Sequence, residues 1–385
     1  MDTMFSRQAR EDLFNKLRKE YQKASKKQKG KIINSLIITT GYSRKSIIRS
    51  LNRRQAKAKK KPIRQRKSSY SGIMPALRII WASANFICGK RLKSILPLIL
   101  SQLLRFGELR LPQPDQQLLL SISSASMDRL LKADRLKMQM KGRSTTKPGT
   151  LLKHKIPIRT FADWNEGIPG FLEADLVGFC GDTTAGEYIN ALTMTDIATG
   201  WVALACFMGR SERFCVQAIE DLRASLPFPL LGFDSDNDSL FINGHLLRYC
   251  SKHSITFTRS RPRKSNDSCF VEQKNWDVVR KNLGYARLDT DRQLALMRQV
   301  LPLLALYQNC FQPSVKLYCK QRFGSKVSKK YLPPETPFQK LMAIPSIPPA
   351  TKDSLLEQMA SLNPKKLISE IQSLVRLLYE KPMEP

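Results

Sequence analysis

Three stretches of this 385-residue chain place carboxylates where oxygen-ligand chemistry could be done. Asp175 lies within an alternating run, Phe171-Leu172-Glu173-Ala174-Asp175-Leu176-Val177-Gly178. Asp234 and Asp236 stand at the exit of a second apolar run, two apart and so on one face of a strand. Glu272 follows a basic stretch at 259–264. A carboxylate inside an apolar strand is costly unless it is paired or metal-bound. Converging carboxylates supply hard oxygen ligands, which suit Mg2+ or Mn2+. Two such ions, about 3.5–4 Å apart, can activate an attacking oxygen and stabilise a leaving one in phosphoryl transfer. Taken singly, each acid has a plainer reading. Asp175 fits an ion-pair partner, Asp236 a helix cap, and Glu272 a solvated helix residue.

The elements that must position these acids follow from periodicity. From residue 170 the pattern predicts strands at 171–178, 188–195 and 201–206, with Ala198-Thr199-Gly200 turning between the last two. A helix is predicted at 211–225, a buried strand at 230–235, a helix at 240–252, a short strand at 255–258 and a helix at 266–283. The order βββαβαβα describes a ribonuclease-H-like α/β core, a mixed five-stranded sheet with helices. On that frame the acids gain weight as a set, because the strands and the last helix bring them toward one edge.

Upstream the pattern is helical. Phe14, Leu17 and Tyr21, then Ile32, Ile33, Leu36 and Ile37, recur at helical spacing. Gly41 supplies a turn and Ser43 a cap for a helix at 43–52, whose inner face is Ile47, Ile48 and Leu51. This is a helix-turn-helix pattern with Arg44, Lys45 and Arg49 outside, and a plain helical hairpin is the alternative. A basic linker covers 53–69. Helices at 73–86 and 91–106 open a second helical domain, 70–137. It ends in another helix-turn-helix-like pair around 121–124, with Arg129, Lys132 and Arg135 outside. A basic, turn-rich linker fills 138–165, the catalytic core 166–345, and a helical tail, broken at Pro364, 346–385.

Lys plus Arg is 65 against 32 for Asp plus Glu, a formal net charge of +33. Such an excess implies a polyanionic partner, nucleic acid first. Residues 1–70 alone carry 22 Lys/Arg against 4 Asp/Glu, as a nucleic-acid arm would. The basic stretch containing Arg259, Arg261, Arg263 and Lys264 is placed to line a DNA path. The eight cysteines form no C-x-x-C pair and there are three histidines, so no zinc ligand set stands at usable spacing. The cysteines read as reduced core residues of an intracellular protein. Residues 1–10 have no apolar signal region, and the longest apolar stretch, 95–104, is too short to span a bilayer. No serine elbow with histidine and no phosphate-binding loop of the G-x-x-x-x-G-K-[ST] type is present, which argues against a hydrolase triad and a built-in ATPase.

The segments Glu173-Ala174-Asp175, Asp234-Ser235-Asp236-Asn237-Asp238-Ser239 and Val271-Glu272-Gln273-Lys274-Asn275 resemble the three catalytic motifs of DDE transposases in the retroviral-integrase superfamily. Thirty-five residues separate Asp236 from Glu272, a spacing typical of that superfamily. The chain is particularly similar to integrases of bacterial insertion sequences. Tyr307-Gln308-Asn309 and Thr336-Pro337-Phe338 resemble the closing part of the domain. The resemblance implies Asp175, Asp236 and Glu272 as catalytic metal ligands for two Mg2+ or Mn2+ ions, and leaves Asp234 structural. It implies cleavage at the ends of a mobile element and transfer of the exposed 3′ hydroxyl into target DNA. It further implies a homo-oligomer on double-stranded DNA and a prokaryotic, nucleoid-associated cytoplasmic location. Lys274 is assigned to a DNA phosphate or to solvent. Two positions depart from the family's frequent Asp-Asn-Gly-Ser-Glu-Phe, since Asp238 and Leu240 stand there, and Asp238 adds negative charge beside the site. A catalytically inactive DNA-binding regulator and a ribonuclease-H-type nuclease are the alternative functions.

Overall fold

The computed structural model describes residues 7–52, 70–138 and 168–380, apart from 236, 237, 239, 242, 260–268, 324 and 325. For 7–10, 138, 259, 269, 270, 272, 317, 320, 323 and 326 the backbone alone is described. The linker expected at 53–69, and all but the first residue of that expected at 138–165, lie outside the described residues. The chain divides into two compact units, Met1–Ser68 and Ser69–Pro385.

In the first unit, α1 (Arg7–Lys23), α2 (Lys26–Thr40) and α3 (Arg44–Asn52) enclose a small core of Phe14, Tyr21, Ile33, Leu36, Ile47 and Leu51. Ser25 starts α2 through a reciprocal capping box with Gln28. Gly41 ends it in the left-handed region, φ +68°, donating its N–H to the Ile37 carbonyl at 3.0 Å. The Ser43 hydroxyl then accepts the Ser46 N–H at 3.4 Å, so α3 begins after a three-residue turn.

The second unit opens with α4 (Met74–Ser83), α5 (Gly89–Arg105), α6 (Gln113–Ser121), α7 (Ser124–Leu130) and α8 (Lys132–Met138). The Asp128 carboxylate accepts the Gly89 N–H at 2.8 Å and also pairs with Arg135 at 3.0 Å, tying the start of α5 to α7 and α8. Arg135, expected outside, is half-buried, and its guanidinium lies over the Trp81 ring.

The sheet consists of β1 (Phe171–Gly178), β2 (Ile189–Asp196), β3 (Val202–Met208), β4 (Gly232–Ser235) and β5 (Thr256–Arg259), in the order 3-2-1-4-5. β1–β2 and β2–β3 are antiparallel, and β4 and β5 run parallel to β1. This is the mixed five-stranded sheet of a ribonuclease-H-like core. The β2–β3 turn is fixed by buried Asp196, which accepts the Thr199 N–H (2.8 Å), the Thr199 hydroxyl (2.6 Å) and the Gly170 N–H (2.8 Å). Helices α9 (Glu212–Ser225) and α10 (Gly244–Lys252) supply the crossovers to β4 and β5.

After β5, α11 (Cys269–Lys274) continues through a π-helical stretch, Asn275–Arg280, into α12 (Lys281–Leu283). The single regular helix expected at 266–283 therefore contains a widened turn. Two elements follow that the hydrophobic pattern did not predict, α13 (Asp291–Phe311) and a two-stranded ribbon of β6 (Leu317–Phe323) and β7 (Lys326–Tyr331). Asn309 of α13 bonds both the N–H and the carbonyl of Val202, each at 2.8 Å, which completes the outer edge of the sheet. Then come α14 (Pro337–Ala343), α15 (Pro349–Ser361) and α16 (Pro364–Tyr379). Pro364 begins α16, where a missing N–H is harmless. Residues 70–137 and 346–385, expected as separate modules, share one contiguous core with the sheet. Their apolar faces meet α13 and one another, with Tyr307 donating to the Ser83 carbonyl (2.9 Å) and Gln102 to that of Met359 (3.1 Å). Among the described residues no helix is long and apolar enough to cross a membrane, and the described cysteines are unbridged.

Candidate active site

Glu173 and Asp175 alternate along β1 and so share one face of the sheet. Both grip the helix laid across that face. Glu173, only 1 % exposed, accepts the Val271 N–H at 3.0 Å. Val271 is near the start of α11, where backbone N–H groups lack intrahelical partners and favour an anion. Half-buried Asp175 accepts the Asn275 side-chain amide at 2.6 Å and its neighbour Leu176's N–H at 2.7 Å. The two contacts on the helix are four residues apart, about one turn, and Glu272 lies between them in sequence. The Glu272 side chain is outside the described residues.

The parallel register sets Glu173 beside Asp234 and Ala174 beside Ser235, then Ser235 beside Arg259. Ligands of open α/β sheets gather at this carboxyl end of parallel strands. Asp234 is buried and accepts the Thr258 hydroxyl at 2.5 Å, coupling β4 to β5. β4 ends at Ser235, one residue before Asp236, which is outside the described residues.

The departures at 238 and 240 have a local account. Asp238 accepts the Leu240 N–H at 2.9 Å and pairs with Arg210 at 2.5 Å, so its added charge is met by a guanidinium. That hydrogen bond to Asp238 is the main reason the Arg210 pKa rises. Leu240 and Phe241 are buried, and Phe241 packs on Phe233 of β4 at 5.8 Å between centroids. A leucine at 240 thus serves the core beneath the segment.

Lys274, expected at a DNA phosphate or in solvent, is buried. It is neither solvated nor at the surface, being 8 % exposed. Residues two apart on a helix do not share a face. Burial pushes the Lys274 ammonium down to about 8; Asp277 opposes the shift, and Lys340 and Arg91 reinforce it. The remaining basic residues named above belong to several elements. Arg44, Lys45 and Arg49 are exposed along α3, with Arg44 donating to Asn34 of α2 at 3.1 Å. Arg129 and Lys132 are exposed on α7 and α8. The Arg259 backbone ends β5, and its side chain, with Arg261, Arg263 and Lys264, lies outside the described residues.

Two residues the sequence reading missed are Glu173 and Asn275. Signals for both existed, in the i, i+2 alternation with Asp175 and the i, i+3 spacing from Glu272. Among the described residues no group of three His, Cys, Asp or Glu is gathered as a metal site; Asp236 and the Glu272 side chain are not among them. Of the three acids expected as ligands only Asp175 has its side chain described, and a carboxylate of that kind, with about four acceptor positions, would suit Mg2+ or Mn2+ rather than a softer metal.

No family model matches the chain. It is 35 % identical over 338 residues to the uncharacterized protein y4rM of Sinorhizobium fredii (strain NBRC 101917 / NGR234), covering 88 % of this chain and 96 % of that one. Among solved structures it is similar to the simian T-cell lymphotropic virus intasome in complex with PP2A regulatory subunit B56 gamma, with 16 % identity, 64 % of this chain, 76 % of that chain and a TM-score of 0.35. It is also similar to the HTLV-2 integrase catalytic core domain in complex with magnesium (dimeric form), with 15 % identity, 38 % of this chain, 91 % of that chain and a TM-score of 0.29. With 35 % identity across nearly the whole of both chains, this protein belongs to the family of the Sinorhizobium fredii protein y4rM.

Proposed function

We propose that the chain is a transposase/integrase that cuts at the ends of a mobile DNA element and joins them to target DNA. The observation that carries this reading is the clamp on α11, in which Glu173 and Asp175 of β1 hold the helix on either side of Glu272. In sequence Asp236 follows Ser235 as Asp175 follows Ala174, the register partner of Ser235, which supports pairing the two acids in this reading. Glu272 and Asn275 are three apart, the spacing of one helix face, and Asn275 touches Asp175. Asp175, Asp236 and Glu272 would hold two Mg2+ or Mn2+ ions, which supply Lewis acidity at the attacking and leaving oxygens when bound.

The protein's own residues then position and pair charges. Asn275 orients the Asp175 carboxylate, Glu173 fixes the helix that carries Glu272, and Arg210 offsets Asp238. The element's 3′ hydroxyl attacks a target phosphorus in line, and the target's 3′ oxygen departs with a proton. One phosphodiester forms as one breaks, so joining needs no nucleotide energy source. The helix-turn-helix units, with Arg44, Lys45, Arg49, Arg129 and Lys132, would recognise element ends, and Arg259, Arg261, Arg263 and Lys264 would line the path to the site. Pairing two ends calls for a homo-oligomer on double-stranded DNA, working at the nucleoid.

A strand-transfer assay with duplex DNA bearing the element's ends tests the proposal. Joined product should appear with Mg2+ and vanish in Glu272→Gln. Equal inertness of wild type and variant, with DNA binding retained, would favour a regulator. Cleavage of an RNA–DNA hybrid without joined product would favour a ribonuclease.

A further inference from the structure

The β6–β7 ribbon has the composition of a polyanion-binding surface. Lys316, Lys320, Arg322, Lys326, Lys329 and Lys330 fall between Gln312 and Pro334, with no acid among them. The strands form their own two-stranded sheet, apart from the five-stranded one. Such ribbons are marginally stable alone, and this one sets Lys320 directly opposite Lys329. Lys316, Arg322, Lys329 and Lys330 are exposed, and none forms an ion pair among the described residues. Strand alternation puts Arg322 and Lys329 on one face. Tyr318 is 73 % exposed.

The two arms stay paired below the strands. The Leu332 N–H reaches the Lys316 carbonyl at 2.9 Å, and Ser314 and Glu335 exchange backbone hydrogen bonds at 2.8 and 3.1 Å. The ribbon thus carries exposed cations, Lys316, Arg322, Lys329 and Lys330, that have no ion-pair partner among the described residues. A chain of phosphates would supply those partners, and a two-stranded ribbon fits the major groove of B-form DNA.

We propose that the β6–β7 ribbon binds duplex DNA through its phosphates, with Arg322 and Lys329 as principal contacts. This rests on the DNA partner of the proposed function but not on its chemistry. The test is therefore equilibrium binding of the full chain to a short fluorescent duplex in EDTA, over a range of salt. Arg322→Gln/Lys329→Gln should lower the slope of log K against log salt by about 1.8 and weaken binding on the order of 50-fold in ~0.1 M salt, whatever the duplex sequence. Its thermal midpoint should hold, because both side chains are exposed and neither forms an ion pair among the described residues. Lys316→Gln/Lys330→Gln should also lower the slope, and it decides the matter should the first variant fail to fold. Arg322→Lys/Lys329→Arg should keep the wild-type slope. Unchanged slope and affinity in both glutamine variants would overturn the assignment while leaving the catalytic reading intact. Tighter binding to duplex RNA would overturn the choice of DNA, and no duplex binding by wild type would overturn both readings.

Discussion

Replacing Glu173 with alanine removes the acceptor of the Val271 N–H and leaves a buried donor at the start of α11. A hydrogen bond to a charged group contributes about 1.5–3 kcal/mol. A carboxylate at a partly buried helix N-terminus contributes up to about 2 kcal/mol, and the two effects overlap at one contact. Glu173→Ala should therefore destabilise the protein by about 2–4 kcal/mol. Glu173→Gln keeps an acceptor oxygen without the charge, so its loss should be nearer 1–2 kcal/mol on the order of a neutral-for-charged exchange. Urea unfolding measures both, as a shift in midpoint at constant m. The same variants, assayed for strand transfer under conditions where both remain folded, should rank wild type above glutamine above alanine. An alanine variant as stable as wild type would refute the reasoning, since the Val271 N–H would then have another partner. A glutamine variant no better than alanine would refute the claim that the acceptor matters.

Asn275→Ala removes the amide that orients Asp175 and should weaken divalent-metal affinity by about 10–100-fold. An Mn2+ titration reads this directly, and unchanged affinity would show that Asp175 is oriented by other contacts. Thr258→Val keeps the side chain's shape but deprives buried Asp234 of its 2.5 Å donor. It should lower stability by about 1–3 kcal/mol in denaturant, with Thr258→Ser restoring it. A Cβ at Gly89 would meet the Ser124 carbonyl oxygen at 2.2 Å, so Gly89→Ala must part α5 from α7. A loss of about 1–3 kcal/mol is expected, seen as a thermal midpoint several degrees lower. An unshifted midpoint would contradict the close approach of these helices.

The sequence by itself determined the order of the core elements and the placement of Asp175 on β1. Alternation with period two exposes a strand's buried side, and turn residues such as Ala198-Thr199-Gly200 mark where it reverses. It likewise determined the turn at Gly41, because a left-handed residue between two apolar-periodic segments leaves few alternatives. The approach of β4 to β1, and the identity of whatever covers a given face, were decided only by the tertiary structure. A glutamate at 173 reads the same whether it faces water or the N-terminal N–H groups of a helix nearly a hundred residues away. The contact of Asn275 with Asp175 and the burial of Lys274 were hidden for the same reason, since helical position says which residues share a side but not which side is packed. The β6–β7 ribbon stayed hidden because its period-two signal arises only when one face is buried, and this ribbon exposes charge on both. Local spacing encodes periodicity, whereas contacts between distant segments arise from the packing of faces that no local pattern names.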